Sequence, residues 1–133
     1  MRKIKFKYYY ENIFRKEIIT KIRDIDEIEN IKFDIINLEN SHLKLLDKCL
    51  FTGLKDKNSK EIYEGDIVNY EDNEHYGIVA FKKGAFGVDY YNFDISDCPL
   101  FYTFYELIHN KKQLLVVGNI YEHSTLIKRI NYE

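Results

Sequence analysis

Residues 50–68 constrain the fold of this chain more than any other segment. Residues 48–53 have the apolar pattern of a strand, and the polar residues 55–60 that follow are typical of a hairpin tip. Glu61 to Tyr63 then predicts a returning strand. Gly65 and Asp66 predict a sharp turn into another strand, because glycine accepts a positive φ cheaply and an aspartate carboxylate can bind nearby backbone N–H groups.

Strand patterns also stand on both sides of this segment. Residues 2–10 alternate between apolar and basic side chains, which is typical of a strand with one solvated face. Residues 31–36 predict a further strand, and residues 77–91 predict a second hairpin that turns at Gly84. The apolar run 113–121 predicts a strand in the centre of a sheet.

Helical patterns are fewer. Isoleucines recur at helical spacing within residues 16–29, although so many β-branched side chains on one stripe weaken the pattern. Residues 98–109 form the stronger pattern, with Asp97 as a candidate N-cap and Pro99 in the first turn. Ser124 is a candidate cap for a last helical turn.

These patterns predict an α+β protein that is mainly β. The expected core structure is a small antiparallel, SH3-like β-barrel or a strongly bent sheet, with the helix 98–109 inserted before its last strand. We expect residues 48–133 to form this domain and residues 1–47 to form a smaller N-terminal α/β subdomain. A chain of 133 residues can bury a core without disulfides or metals.

Composition excludes several classes of protein. The net charge of −2 argues against a general nucleic-acid binder, which usually has a strong basic excess. No apolar run is long enough to span a membrane, and the basic N-terminus lacks the apolar stretch of a signal peptide. Cys49 and Cys98 form no metal or redox motif, so we expect reduced thiols in a cytoplasm.

The sequence contains none of the motifs G-x-S-x-G, H-E-x-x-H, Walker A and G-x-G-x-x-G. Asp72, Glu74 and His75 form one cluster that can bind a metal or act as acid and base. A solvated turn is rich in such residues by default, so the turn interpretation is favoured. Cys49 is interpreted as a buried structural thiol because no adjacent base is visible. We therefore expect no enzyme activity, no metal and no cofactor.

The N-terminal strand is the main candidate contact surface. It can contact phosphates and stack bases through its basic and aromatic side chains. These are Arg2, Lys3, Lys5, Lys7, Tyr8, Tyr9 and Tyr10. The favoured alternative is an edge strand whose lysines prevent pairing with other chains. Tyr102, on the outer face of the predicted helix, is a further candidate contact.

The segments 51–56 and 61–68 resemble the signature of the YopX family, whose members are proteins of bacteriophages and prophages. The signature residues present here are Thr52, Gly53, Leu54, Lys55, Asp56, Tyr63, Gly65 and Asp66. The family motif usually has glycine in the hairpin tip where Ser59 stands. The start of the chain, the hairpin 77–91 and the last strand 117–122 resemble the family more weakly.

The resemblance implies a small β-barrel domain with an α/β N-terminal portion, encoded by phages or prophages of low-GC bacteria. It carries over no catalytic residue, because the biochemical role of the family is largely unknown. The signature itself is interpreted as architectural, so the functional surface is expected outside it.

Three functions follow as hypotheses. The first is a non-enzymatic accessory protein in the bacterial cytoplasm that binds a host macromolecule, such as a CRISPR nuclease or another defence protein. The second is a nucleic-acid-binding module that uses the N-terminal strand, and the third is an enzyme with a site at Asp72, Glu74 and His75. Self-association stays open, and no membrane partner is expected.

Overall fold

The chain forms two compact units, Met1–Gly53 and Leu54–Glu133. The computed structural model describes residues 4–30, 42–70, 76–90, 100–109 and 113–123. The predicted domain boundary after residue 47 lies within a continuous strand, Leu43–Lys55. The predicted strand 31–36 and the candidate caps Asp97 and Ser124 lie outside the described residues.

The N-terminal unit is built around a three-stranded antiparallel arrangement. Strand β1 (Lys5–Asn12) pairs on one side with β2 (Ile18–Asp24) and on the other with β3 (Leu43–Lys55). A short helix, α1 (Ile25–Asn30), follows β2. The prediction of a strand at the N-terminus is therefore confirmed.

The helix predicted within residues 16–29 is correct only from Ile25 onward. Ile18 and Ile22 lie on β2, where they pair with Glu11 and Lys7 of β1. The β-branched side chains that weakened the helical pattern suit a pleated strand better. The strand also supplies hydrogen-bond partners to β1.

The C-terminal unit contains the six remaining described strands. They are β4 (Glu61–Tyr63), β5 (Asp66–Tyr70), β6 (Tyr76–Lys82), β7 (Ala85–Tyr90), β8 (Leu100–Thr103) and β9 (Leu114–Asn119), with helix α2 (Phe104–His109) before β9. The strand orders are β2-β1-β3-β4 in one sheet and β8-β7-β6-β5-β9 in the other. The predicted α+β, mainly β fold is thus confirmed. Neither sheet closes into a barrel within the residues that the structure describes.

The hairpin predicted at residues 77–91 is also confirmed, as β6 and β7. Its turn residues Lys83 and Gly84 have φ angles of 54° and 78°. Two consecutive positive φ angles are typical of the tight turns whose twist matches that of the flanking strands. Glycine at the second position accepts this conformation without strain.

The helix predicted at residues 98–109 begins only at Phe104. Leu100–Thr103 is instead strand β8, which pairs with β7. Thr103 is the N-cap of α2: its Oγ1 accepts the N–H of Glu106, and its hydroxyl donates to the Glu106 carboxylate. Tyr102 therefore lies on an edge strand and not on a helix.

The core of the C-terminal unit lies between α2 and the strands. Its buried members are Ile62, Val68, Val79, Val88, Phe104, Leu107 and Leu114. Phe104 and Leu107 are three residues apart on α2, so both occupy the same face of the helix. Both described helices have six residues, and no described helix is long and apolar enough to cross a membrane.

Candidate functional site

Asp56 holds the hairpin tip and the outer edge of β9. Its Oδ1 accepts the N–H groups of Asn58 and Lys60 at 2.8 and 2.9 Å. Its Oδ2 accepts the N–H of Val116 at 2.9 Å, and the N–H of Lys57 donates to the carbonyl of Leu114. Strand β9, predicted as central, is thus an edge strand of the described sheet, and this turn binds two of its outer backbone groups.

Gly65 and Asp66 form the second turn of the signature. Gly65 has a φ of 88°; its N–H donates to the carbonyl of Val79 and its own carbonyl accepts the N–H of Ile120. The buried Asp66 accepts the N–H of Tyr63 at 2.8 Å. These polar groups are used to fix the backbone, which agrees with an architectural role for the signature.

The phenol of Tyr63 is buried beside a carboxylate. Its hydroxyl donates to Oε1 of Glu61 at 3.1 Å. Burial raises the pKa of Tyr63 well above its ordinary value, and the hydrogen bond and charge of Glu61 raise it further. Tyr63 therefore stays neutral and acts as a donor at physiological pH.

The N-terminal strand, predicted as one contact surface, divides into two faces. Lys5, Lys7 and Tyr9 alternate with Phe6, Tyr8 and Tyr10, so the two sets point to opposite sides of the sheet. Tyr9 is 0% exposed and offers no contact surface in the folded unit. Lys5 and Lys7 lie over the rings of Phe51 and Tyr9, with ammonium-to-centroid distances of 5.1 and 5.7 Å. Arg2 and Lys3 lie outside the described residues.

The face that carries Phe6, Tyr8 and Tyr10 receives cations from both neighbouring strands. On β2, Arg23 lies opposite Phe6 and Lys21 lies opposite Tyr8. On β3, Lys48 lies opposite Tyr8. Directly opposite residues share a face of an antiparallel sheet. We call this surface the aromatic-cationic face; its residues are Phe6, Tyr8, Tyr10, Lys21, Arg23 and Lys48.

Ring contacts confirm this arrangement. The rings of Tyr8 and Tyr10 stack with centroids 6.3 Å apart and planes 28° from parallel. The Lys48 ammonium lies 4.2 Å from the centroid of Phe6 and 5.8 Å from that of Tyr8. Phe6 and Tyr8 are half-buried and Lys48 is exposed, whereas Tyr10 is 8% exposed. Phe6 and Tyr8 are therefore the rings that a ligand can reach.

The acidic side chains of β1, β2 and β3 all lie on one face of the sheet, whereas basic side chains lie on both faces. The acidic residues of β1, β2 and β3 are Glu11, Asp24 and Asp47, and they lie opposite Ile18, Lys5 and Tyr9. All three therefore belong to the other face of the sheet. Among the residues of these three strands, the aromatic-cationic face has cations without acids, although the whole chain is slightly acidic.

The pKa of Tyr8 reflects the same surroundings. Burial raises it above the ordinary value, the neighbouring Tyr10 raises it further, and the positive charge of Arg23 lowers it in part. Tyr8 is thus a neutral aromatic surface at physiological pH. Arg23 lies opposite Phe6 and therefore diagonally across from Tyr8 on the same face.

Lys21, Arg23 and Lys48 are the residues that the sequence analysis missed. Lys21 and Arg23 were placed within a helical segment, and Lys48 was one polar residue in a strand. The sequence did contain one signal for a strand here, because the basic Lys21 and Arg23 stand on either side of the apolar Ile22. Only the register of β1 with β2 and β3 places these cations beside the rings.

Other candidate residues are dispersed. Tyr102 on β8 is 36% exposed and Tyr105 on α2 is 72% exposed. Cys49 is buried on β3. Asp72, Glu74 and His75 lie outside the described residues, and within the described ranges no three His, Cys, Asp or Glu side chains form a metal-binding group.

Comparison with known proteins gives one family. The family model described as YopX protein matches residues 2–128, which confirms the resemblance seen in the signature. No curated protein is significantly similar in sequence. The crystal structure of protein EF1440 from Enterococcus faecalis is similar at a TM-score of 0.46 with 21% identity, over 92% of this chain and 97% of that chain.

Proposed function

This chain belongs to the YopX family, a phage-type family of unknown biochemical role, and from that premise we propose that it is a non-enzymatic binding protein for single-stranded nucleic acid. The ligand surface is the aromatic-cationic face of the N-terminal unit. One observation supports the proposal above the others: reachable rings on β1 lie between cations on both neighbouring strands. The expected location is the cytoplasm of a bacterial host.

The chemistry of this face fits a single strand. Unpaired bases stack on aromatic side chains whatever their sequence, and lysine and arginine side chains contact the phosphates beside them. Phe6 and Tyr8 offer two such rings at successive positions of one strand face. The Lys48 ammonium covers the ring of Phe6 in the structure. When a base stacks on that ring, Lys48 can move aside and bind a phosphate. A duplex hides its base faces and is expected to bind more weakly.

The test is a fluorescence-anisotropy titration of a labelled single-stranded oligonucleotide at several salt concentrations. Three phosphate contacts predict a slope of about −2 for the logarithm of affinity against the logarithm of salt concentration. Lys48→Gln should flatten this slope by about 0.7. Tyr8→Leu keeps an apolar side chain but removes the stacking surface, and should weaken binding about fivefold or more.

Lys44→Gln is the matched control for Lys48→Gln. Lys44 is also exposed on β3, but it pairs with Glu11 and so belongs to the opposite face. Its substitution should leave the affinity and the salt slope unchanged. Absence of binding at low salt, or equal losses for the two lysine variants, would contradict the proposal.

A second candidate function is inhibition of a host-defence protein, such as a CRISPR nuclease. It is favoured by the exposed rings of Tyr102 and Tyr105, because tyrosine is enriched in protein interfaces. A tagged protein should then recover a host protein in stoichiometric amount from lysate, and Tyr102→Ala with Tyr105→Ala should abolish this. Recovery that is equal for the wild type and the double variant would argue against these tyrosines as the contact.

A further inference from the structure

A cavity of about 320 Å³ lies within the C-terminal unit, lined by the hairpin tip, α2 and the start of β9. Its apolar lining residues are Leu54, Ile62, Phe104, Leu107 and Leu114. The volume lies at the lower end of the roughly 300–1,000 Å³ that small-molecule sites occupy. An occupant must therefore be small and mostly apolar.

The solvent side of the cavity is polar and positively charged. Lys55, Lys57 and Gln113 line the cavity and are exposed. Asp56 also lines it, but its two carboxylate oxygens already accept three backbone N–H groups, from Asn58, Lys60 and Val116. These bonds occupy both carboxylate oxygens, and the two lysines outnumber the one carboxylate, so the lining has a net positive charge.

We infer that this cavity binds a small amphipathic anion, in which an apolar chain or ring carries one acidic group. The apolar part lies against Leu107 and Leu114, and the acidic group lies at the opening between Lys55 and Lys57. Gln113 provides an amide for a further hydrogen bond. This site lies in the other unit from the aromatic-cationic face and does not depend on the proposed nucleic-acid binding.

The test uses octanoate as the probe, with octan-1-ol and octylamine as neutral and cationic probes of the same chain length. Each is titrated into the full-length protein labelled for methyl NMR. Octanoate should bind at one saturable site and shift the methyl signals of Leu54, Leu107 and Leu114. Octanol should bind more weakly, and octylamine should bind least.

Lys55→Gln and Lys57→Gln test the charge at the opening. Each should weaken octanoate binding about two- to fivefold, as expected for an exposed charge pair, and neither should change octanol binding. Lys60→Gln is the matched control, because Lys60 belongs to the same exposed turn but does not line the cavity. All three substitutions are on the surface, so folding is preserved.

Three results would overturn the inference. One is the absence of saturable octanoate binding in the millimolar range. Another is equal affinity of the wild type and the Lys55→Gln, Lys57→Gln double variant for octanoate. The third is a set of signal changes spread over the surface methyl groups instead of the leucines that line the cavity.

Discussion

Asp56→Asn should destabilise the C-terminal unit, because one carboxylate oxygen holds the hairpin tip and the other holds β9. An asparagine keeps one oxygen acceptor but replaces the second with an NH₂ group. If the remaining oxygen serves Asn58 and Lys60, the N–H of Val116 faces a donor instead of an acceptor. The edge of β9 then keeps only one hydrogen bond to the turn, from the N–H of Lys57 to the carbonyl of Leu114.

The size of the effect follows from the bond that is lost. A hydrogen bond to a charged group contributes about 1.5–3 kcal/mol. Domains of this kind are stable by only about 5–15 kcal/mol, so the loss is a large fraction of the total. With a urea dependence near 2 kcal/mol per molar, the unfolding midpoint should fall by about 1 M. Asp56→Ala removes all three bonds and should cost more.

Two measurements together test this account. Urea unfolding followed by circular dichroism gives the midpoint, and amide hydrogen exchange reports the N–H of Val116 directly. Exchange at Val116 should accelerate about tenfold or more, since each 1.4 kcal/mol corresponds to a factor of ten. Asp47→Asn is the control: Asp47 is exposed, its Oδ1 accepts the N–H of the adjacent residue, and its substitution should change stability by less than about 0.5 kcal/mol. An unchanged midpoint and unchanged exchange at Val116 in Asp56→Asn would refute the reasoning.

Three further predictions concern single positions. Burial and the hydrogen bond to Glu61 raise the folded pKa of Tyr63. Its contribution to stability is therefore complete below about pH 10 and is lost as the pH rises further. Tyr63→Phe should reduce this alkaline loss of stability in urea titrations at about pH 8–11. Ser59 has a φ of 66°, so Ser59→Gly should raise stability by about 0.5 kcal/mol, and a lower thermal midpoint would contradict this. A Cβ at Gly118 would lie 2.7 Å from Nδ1 of His123, so Gly118→Ala should cost about 1–3 kcal/mol by urea unfolding, of which His123→Ala in the same chain should recover part.

Local signals predicted the hairpins well. The turn at Gly84 and the turn at Gly65 were visible because glycine marks positions of positive φ, and both have such angles in the structure. The N-cap bond between Thr103 and Glu106 is equally local, but the apolar spacing from residue 100 onward concealed the start of the helix. The apolar residues of Leu100–Thr103 fit a helix or a strand equally well. The segment is a strand because it pairs with β7.

Errors arose where the deciding contact is distant in sequence. The apolar run of β9 was interpreted as a central strand, because strands that are buried on both faces usually have continuous apolar sequences. Its outer edge is instead covered by Asp56, which lies sixty positions before Val116. No spacing within residues 113–121 contains this information.

The candidate ligand surface was hidden for the same reason. The rings of Phe6 and Tyr8 were visible in an alternating strand, but the cations beside them come from other strands. A shift of one residue in the pairing of β1 with β2 would move Lys21 to the opposite face. The same shift between β1 and β3 would move Lys48. The pairing register therefore determines the chemistry of this face, and a sequence pattern alone does not give the register.

The residues that fix the fold and the residues of the proposed ligand surface are different, which matters for relatives of the protein. The signature residues Asp56, Gly65 and Asp66 bind backbone groups of the C-terminal unit, so a protein that shares the signature should share these turns. The cations at positions 21, 23 and 48 take no part in those turns. A relative can therefore keep the fold and lack the residues of the proposed ligand surface. Nucleic-acid binding should accordingly follow the aromatic and basic residues on β1, β2 and β3, and not membership of the family.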